Sequence, residues 1–301
     1  MMKNLYWLLS HQTGMTVLII LSVTINLFAQ DDLLQELEQS ETKSKVYSYA
    51  TFKGTRAVNG HSVETKNRGE LELIISHRFG RLNSGAYNFW GLDDAYIRIG
   101  LEYGITDRLG IGIGRNSYNK IIDSYLKYKL LRQSTGLGSF PLTVTAFAST
   151  GIQTYPQTID DPTLNFADRL TYTYQLLVAR KFNPKFSFQI TPTVVHSNRV
   201  DQTILNNDQF AIGMAGRYKL TRSLSLNAEY YYRIDPHPNT PYYNSIALGF
   251  DVETGGHVFQ LIFSNTQGMV ERTFINETAG NFFKGDIHFG FNITRTFQLK
   301  K

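Results

Sequence analysis

From Gly69 onward the chain alternates apolar and polar side chains with a period of two. Leu71, Leu73, Ile75 and Phe79 fall on one side of a strand, with Glu70, Glu72, Ser76 and Arg78 on the other. Ala95, Ile97, Ile99, Leu101 and Tyr103 oppose Arg98, Gly100 and Glu102. After a turn at Thr106 and Asp107, Leu109, Ile111 and Ile113 oppose Gly110, Gly112 and Gly114. The same pattern returns in Leu126 to Leu130, Leu142 to Ala148, Leu170 to Val178, Phe186 to Val194, Phe210 to Leu220, Leu224 to Tyr232, Ile246 to Val252 and Phe259 to Phe263. It closes with a strand from Phe289 to Phe297. Such alternation marks half-buried strands, and it predicts about twelve of them.

The links between these segments alternate in length. Short ones lie near Thr106, Asn183, Thr221 and Gly255, with a moderate one at Ser134 to Phe140. Longer ones run near Arg81 to Asp93, Thr154 to Ala167, Asn198 to Gln209, Asp235 to Tyr242 and Thr266 to Phe283. A soluble sandwich or propeller shares the period of two, but its strands usually hold about 5–6 residues. Many here run to about 9–13, enough to cross a bilayer at a tilt. The expected fold is therefore all-β: an antiparallel up-and-down transmembrane β-barrel over residues 69–297, with short turns on one side and longer loops on the other.

Ahead of the barrel, Lys3 and the apolar stretch Met15 to Phe28, followed by Ala29 and Gln30, read as an export signal peptide over residues 1–29. Residues 30–68 form a pre-barrel segment, either a periplasmic leader or a lumenal plug, and 298–301 form a short basic tail. Without Lys3 the chain carries 29 basic and 25 acidic groups, a scattered surplus of +4. That gives no basic patch of the kind nucleic acid requires. The chain has no cysteine, which excludes disulfides and thiolate sites.

Residues Phe52 to Arg56, Asn59 to Glu64, Ser76 to Gly80, Gly91 to Asp93 and Gly100 to Asp107 resemble a family of outer-membrane β-barrels of Gram-negative bacteria whose domain has no known function. The likeness extends more loosely to the last strand. It implies an integral outer-membrane barrel and lends no activity. The partners it implies are outer-membrane lipids, and the barrel-assembly machinery and periplasmic chaperones during biogenesis.

The inward parity gathers Glu70, Glu72, Arg78, Arg98, Glu102, Asp123, Lys127, Lys129, Arg217, Glu229, Arg233 and Asp251. These charges either line a solute path or pair across strands and fill a narrow lumen. Gly110, Gly112 and Gly114 form a smooth inward strip against which the segment Val46 to Arg68 could pack, or else serve barrel curvature. The seven histidines show no metal spacing, and all but His11, which lies in the signal, read as polar rim residues. His196, Ser197 and Asn198 raise a lipid hydrolase. Adjacent positions on a strand point to opposite faces, however, so no catalytic pair is assigned. No cofactor is expected. The leading expectation is a small pore or transport component for an unidentified solute. The alternative is a non-conducting structural or interaction barrel that meets a periplasmic partner, and lipid hydrolysis comes third.

Overall fold

The computed structural model describes residues 44–155, 164–254 and 257–299. The expected signal peptide and residues 30–43 of the leader lie outside the described residues. Twelve strands follow in chain order: β1 (Glu70–Arg81), β2 (Ala95–Gly104), β3 (Leu109–Asn116), β4 (Ile121–Leu131), β5 (Thr143–Gln153), β6 (Leu170–Lys181), β7 (Phe186–Ser197), β8 (Asp208–Lys219), β9 (Leu224–Ile234), β10 (Ser245–Thr254), β11 (His257–Ser264) and β12 (His288–Gln298). Each pairs antiparallel with its sequence neighbours, and β12 closes on β1 with Phe297 opposite Leu71 and Ile293 opposite Ile75. Closure leaves no strand edge, so every strand finds hydrogen-bond partners on both sides.

Side-chain parity sorts the two faces. Ile99, Leu101, Ile111, Ile113, Leu126, Tyr174, Ile190 and Leu248 are exposed on the outside. Their inward neighbours Arg98, Glu102, Lys127, Gln189 and Asn227 are buried. A wall that is apolar outside and polar inside is the inverse of a soluble barrel, and hydrocarbon is its matching solvent.

The turns after β2, β6 and β8 span Ile105 to Arg108, Phe182 to Lys185 and Leu220 to Ser223. In each, a side chain at the start of the turn holds the backbone: Thr106, Asn183 or Thr221 accepts from N–H groups two and three residues on. At the other end the connections are longer, except for a tight reversal at Ser117 to Lys120, where Asn119 and Lys120 take positive φ. In the pre-barrel segment a short strand, Val46–Tyr47, pairs with Ser134–Thr135. These two short strands belong to a separate compact unit that includes residues 134–139.

Candidate functional site in the barrel lumen

Residues 51–63 form the core of the lumen. Phe52, Thr55, Ala57, Val58, Asn59, His61, Ser62 and Val63 are each at most 3% exposed. Locally the segment is a small reversal, closed by Ala57 N–H to Gly60 O at 2.8 Å and by Ser62 N–H to Thr55 O at 3.0 Å. A chain folded back this tightly cannot satisfy its remaining backbone groups internally, and the barrel wall does so instead.

The wall contacts come from around the circumference. On β9, the Glu229 carboxylate accepts from the backbone N–H groups of Val58, Asn59 and Gly60 at 3.3, 3.1 and 2.9 Å. On β7, Gln189 donates to His61 O at 2.8 Å and accepts from Val63 N–H at 2.9 Å. Thr145 of β5 and Gln260 of β11 each donate at 2.9 Å, to Val63 O and Ala57 O. Lys127 of β4 donates to Thr55 O at 2.8 Å, and Arg78 of β1 to the Asn59 side chain at 2.9 Å. Asn292 of β12 reaches Val58 O at 3.3 Å. Gly60 is required for close approach: a Cβ there would overlap the Tyr231 hydroxyl and lie 3.2 Å from Glu229.

The loop after β11 also turns inward, which corrects the expectation of an outer loop over residues 266–283. Met269, Val270, Glu271 and Thr273 to Asn276 are buried, the last four within a π-helical turn, Arg272–Asn276. Phe274 packs edge-on against Tyr231 at 5.2 Å, within a buried cluster that also holds Val195, Ala211 and Ile275. The Glu271 carboxylate meets the segment at its centre, 3.3 Å from His61 Nε2 and 3.5 Å from Arg56. His61 is therefore a lumen residue and not the rim residue expected; its ring lies 4.5 Å from Tyr125 and 4.3 Å from Phe147.

The inward charges are divided between the wall and the inserted segment. Arg98 and Asp123 pair with each other, Nε to Oδ1 at 2.9 Å. Glu102 accepts from the Tyr125 hydroxyl at 2.9 Å and lies 3.9 Å from Lys127. Glu72 accepts from Thr55 at 3.1 Å and pairs with Lys66 at 2.6 Å. Asp251 accepts from Gln260 at 2.7 Å, while Lys129 sits 3.5 Å from Glu64. Arg217 donates to Ser225 at 2.9 Å, and Arg233 reaches Asn276 O at 3.4 Å. Buried charges persist only with such partners.

The strip Gly110, Gly112 and Gly114 does not take the segment's backbone, contrary to the packing considered from sequence. A Cβ at Gly112 would overlap the Tyr125 ring, and one at Gly114 the Arg98 guanidinium; the nearest group to Gly110 is the Glu102 carboxylate at 3.6 Å. These glycines make room for long side chains of neighbouring strands. His196 and Ser197 part as strand geometry requires. His196 bonds Asp208 at 2.7 Å, while buried Ser197 lies 3.4 Å from the Thr171 hydroxyl. Two inner cavities, one beside Gly54, Thr55 and Asn292 and the other beside Ile121, Thr171 and Val270, measure about 20 and 10 Å³, room for roughly one water each.

An apolar exterior, a closed antiparallel wall and a polar interior define a membrane-spanning β-barrel. Residues 52–297 match the family described as membrane bound beta barrel domain (DUF5777), and the chain belongs to that family. Among solved structures, the NanC porin is similar at 10% identity over 77% of this chain and all of that one, with a TM-score of 0.46. The KdgM porin is similar at 6% identity over 76% of this chain and 99% of that one, with a TM-score of 0.45. No curated protein matches the chain.

Proposed function

We propose that this protein is a pore or transport component of the outer membrane that rests closed, with residues 48–68 as its stopper. The observation that carries this reading is the chemistry of the stopper's seat. It is held largely by side chain–backbone hydrogen bonds to a polar wall, and water can replace each of them at a net cost of about 0.5–1.5 kcal/mol for the neutral groups and about 1.5–3 kcal/mol for the charged ones. Withdrawal of the segment would expose Glu72, Arg78, Lys127, Gln189 and Glu229 beside the inward turn at residues 269–276, a surface suited to water and small polar solutes. On this reading the short-turn end faces the periplasm and the long-loop end the exterior. Outer-membrane lipids surround the barrel, which the barrel-assembly machinery inserts.

The second reading is a non-conducting structural or interaction barrel. It is favoured by the apolar part of the seat, where Phe52, Ala57 and Val63 cluster with Tyr125, Phe147 and Leu177. Planar-bilayer recording separates the two. The full chain should be silent or open rarely, and deletion of residues 48–66 should give discrete current steps. A folded deletion variant that stays silent at every voltage would replace the pore with the structural barrel. Lipid hydrolysis gains no support, because His196 and Ser197 occupy opposite faces.

A further inference from the structure

On the arc of wall from β4 to β8, the short-turn mouth of the lumen carries several inward cations. Lys181 on β6 and Arg217 on β8 both stand opposite Ser187 of β7, which puts their Cα atoms roughly 10 Å apart across one strand. Lys219 follows on the same face of β8, and Lys129 ends the inward row of β4. The acid in their midst is Glu64, contributed by the stopper and not by the wall. It lies 3.5 Å from Lys129 and within electrostatic reach of Lys181 and Arg217.

Two further observations point to a ligand. Arg217 is buried, 7% exposed, yet its Nε has no hydrogen-bond partner. An unmet guanidinium donor is costly and is ordinarily met by an anion or water. In addition, a cavity of about 30 Å³, room for about one water while Glu64 is seated, opens beside Glu64, bounded by Thr51, Lys129, Arg132 and Thr143. The acids of β10, Asp251 and Glu253, also act on Arg217, but both are engaged elsewhere: Glu253 is paired with Lys53 at 2.5 Å, and Asp251 is bonded to Gln260. The stopper is also tied to this arc beyond Glu64, since Lys181 donates to Tyr49 O at 2.8 Å.

We infer that the short-turn mouth is a binding site for a small soluble anion, a carboxylate or phosphate, whose place Glu64 holds while the stopper is seated. The inference deepens the reading of the lumen as a stoppered path and rests on it. An incoming anion competes with Glu64 for Lys129, Lys181 and Arg217. Entry of the ligand and loosening of the stopper are thus one event, and electrostatic focusing in a low-dielectric mouth favours it. Binding and release of the stopper are linked because the anion has differential affinity for the two states.

The test is calorimetric titration of inorganic phosphate into the detergent-solubilised full chain at low ionic strength. Glu64→Gln should bind phosphate about tenfold more tightly than wild type, equivalent to ~1.4 kcal/mol, and adding Lys181→Gln should return the affinity to the wild-type level. Equal affinity in wild type and Glu64→Gln would overturn the inference, as would tight binding indifferent to Lys181→Gln. If Glu64→Gln does not fold, wild type against Lys181→Gln decides: weaker binding in the variant supports the site, and equal binding removes it. Phosphatidylglycerol in the micelle should not compete with phosphate; competition would move the site to the outer wall and sink the proposal. Bilayer currents are read separately. Current steps from the variant lacking residues 48–66, without phosphate binding by the full chain, remove this inference and leave the pore, while phosphate binding by the full chain with a silent deletion variant removes the pore alone.

Discussion

Replacing Glu229 by Ala should release the stopper while leaving the barrel intact. The carboxylate accepts from three consecutive backbone N–H groups, Val58, Asn59 and Gly60, at 3.3, 3.1 and 2.9 Å. Hydrogen bonds to a charged acceptor contribute about 1.5–3 kcal/mol each. The longest of the three is marginal, which leaves a gross loss of about 3–6 kcal/mol. Against this, removing a buried carboxylate relieves its desolvation penalty, which offsets part of the loss. A net weakening of the seat by about 2–4 kcal/mol follows, equivalent to an opening equilibrium raised by roughly 30- to 1,000-fold. Hydrogen exchange read by mass spectrometry in detergent measures it directly. Peptides covering residues 55–63 should exchange faster by that factor, while the β9 and β10 ladders keep their protection because their backbone pairing does not involve the side chain. Wild-type exchange in residues 55–63 would refute the reasoning. So would loss of protection throughout the barrel, since Glu229 would then be a wall residue and not a stopper clamp.

Gly60→Ala should dislodge the same segment by steric overlap with the Tyr231 hydroxyl. The expected readout is trypsin cleavage at Lys53 or Arg56 in the variant and none in wild type. Arg98→Ala strands Asp123 as an unpaired buried charge, so barrel stability should fall by about 3–5 kcal/mol. Urea unfolding followed by gel migration checks this, and an unchanged midpoint would contradict the pairing. On the outer wall, Ile113→Arg places a charge where 54% of the side chain is exposed to the surroundings. In a bilayer that should cost about 2–4 kcal/mol near the midplane. No effect on folding into vesicles would mean that this face does not meet lipid.

The barrel was legible because its signal is local. A period of two in Leu71 to Phe79, or in Leu109 to Gly114, needs no knowledge of neighbours, and the inward charges follow from parity alone. The lumen contents were less legible, because they depend on which strands face one another across the interior. Nothing in the pattern around Asn59 shows that Glu229, far along the chain, will accept its N–H. The inward loop did leave a trace: Met269, Val270, Phe274 and Ile275 are apolar residues in a stretch that an outer loop would make polar. The glycine strip misled for a register reason. Gly112 stands opposite Tyr125 and Glu102, and Gly114 opposite Asp123 and Gly100. The space they free is therefore used by Tyr125 and Arg98 before any inserted backbone can reach it. The parting of His196 from Ser197 was legible because parity decides it.

The most direct measurement is the accessibility of the stopper in the native membrane. The chain has no cysteine, so Asn59→Cys gives a single thiol inside the lumen and Lys185→Cys a control thiol on an exposed turn. In isolated, unsealed membrane fragments, a bulky maleimide should label the control at once and reach position 59 only after denaturation. Labelling of position 59 at the control's rate in folded protein would show the lumen to be unoccupied by its own segment.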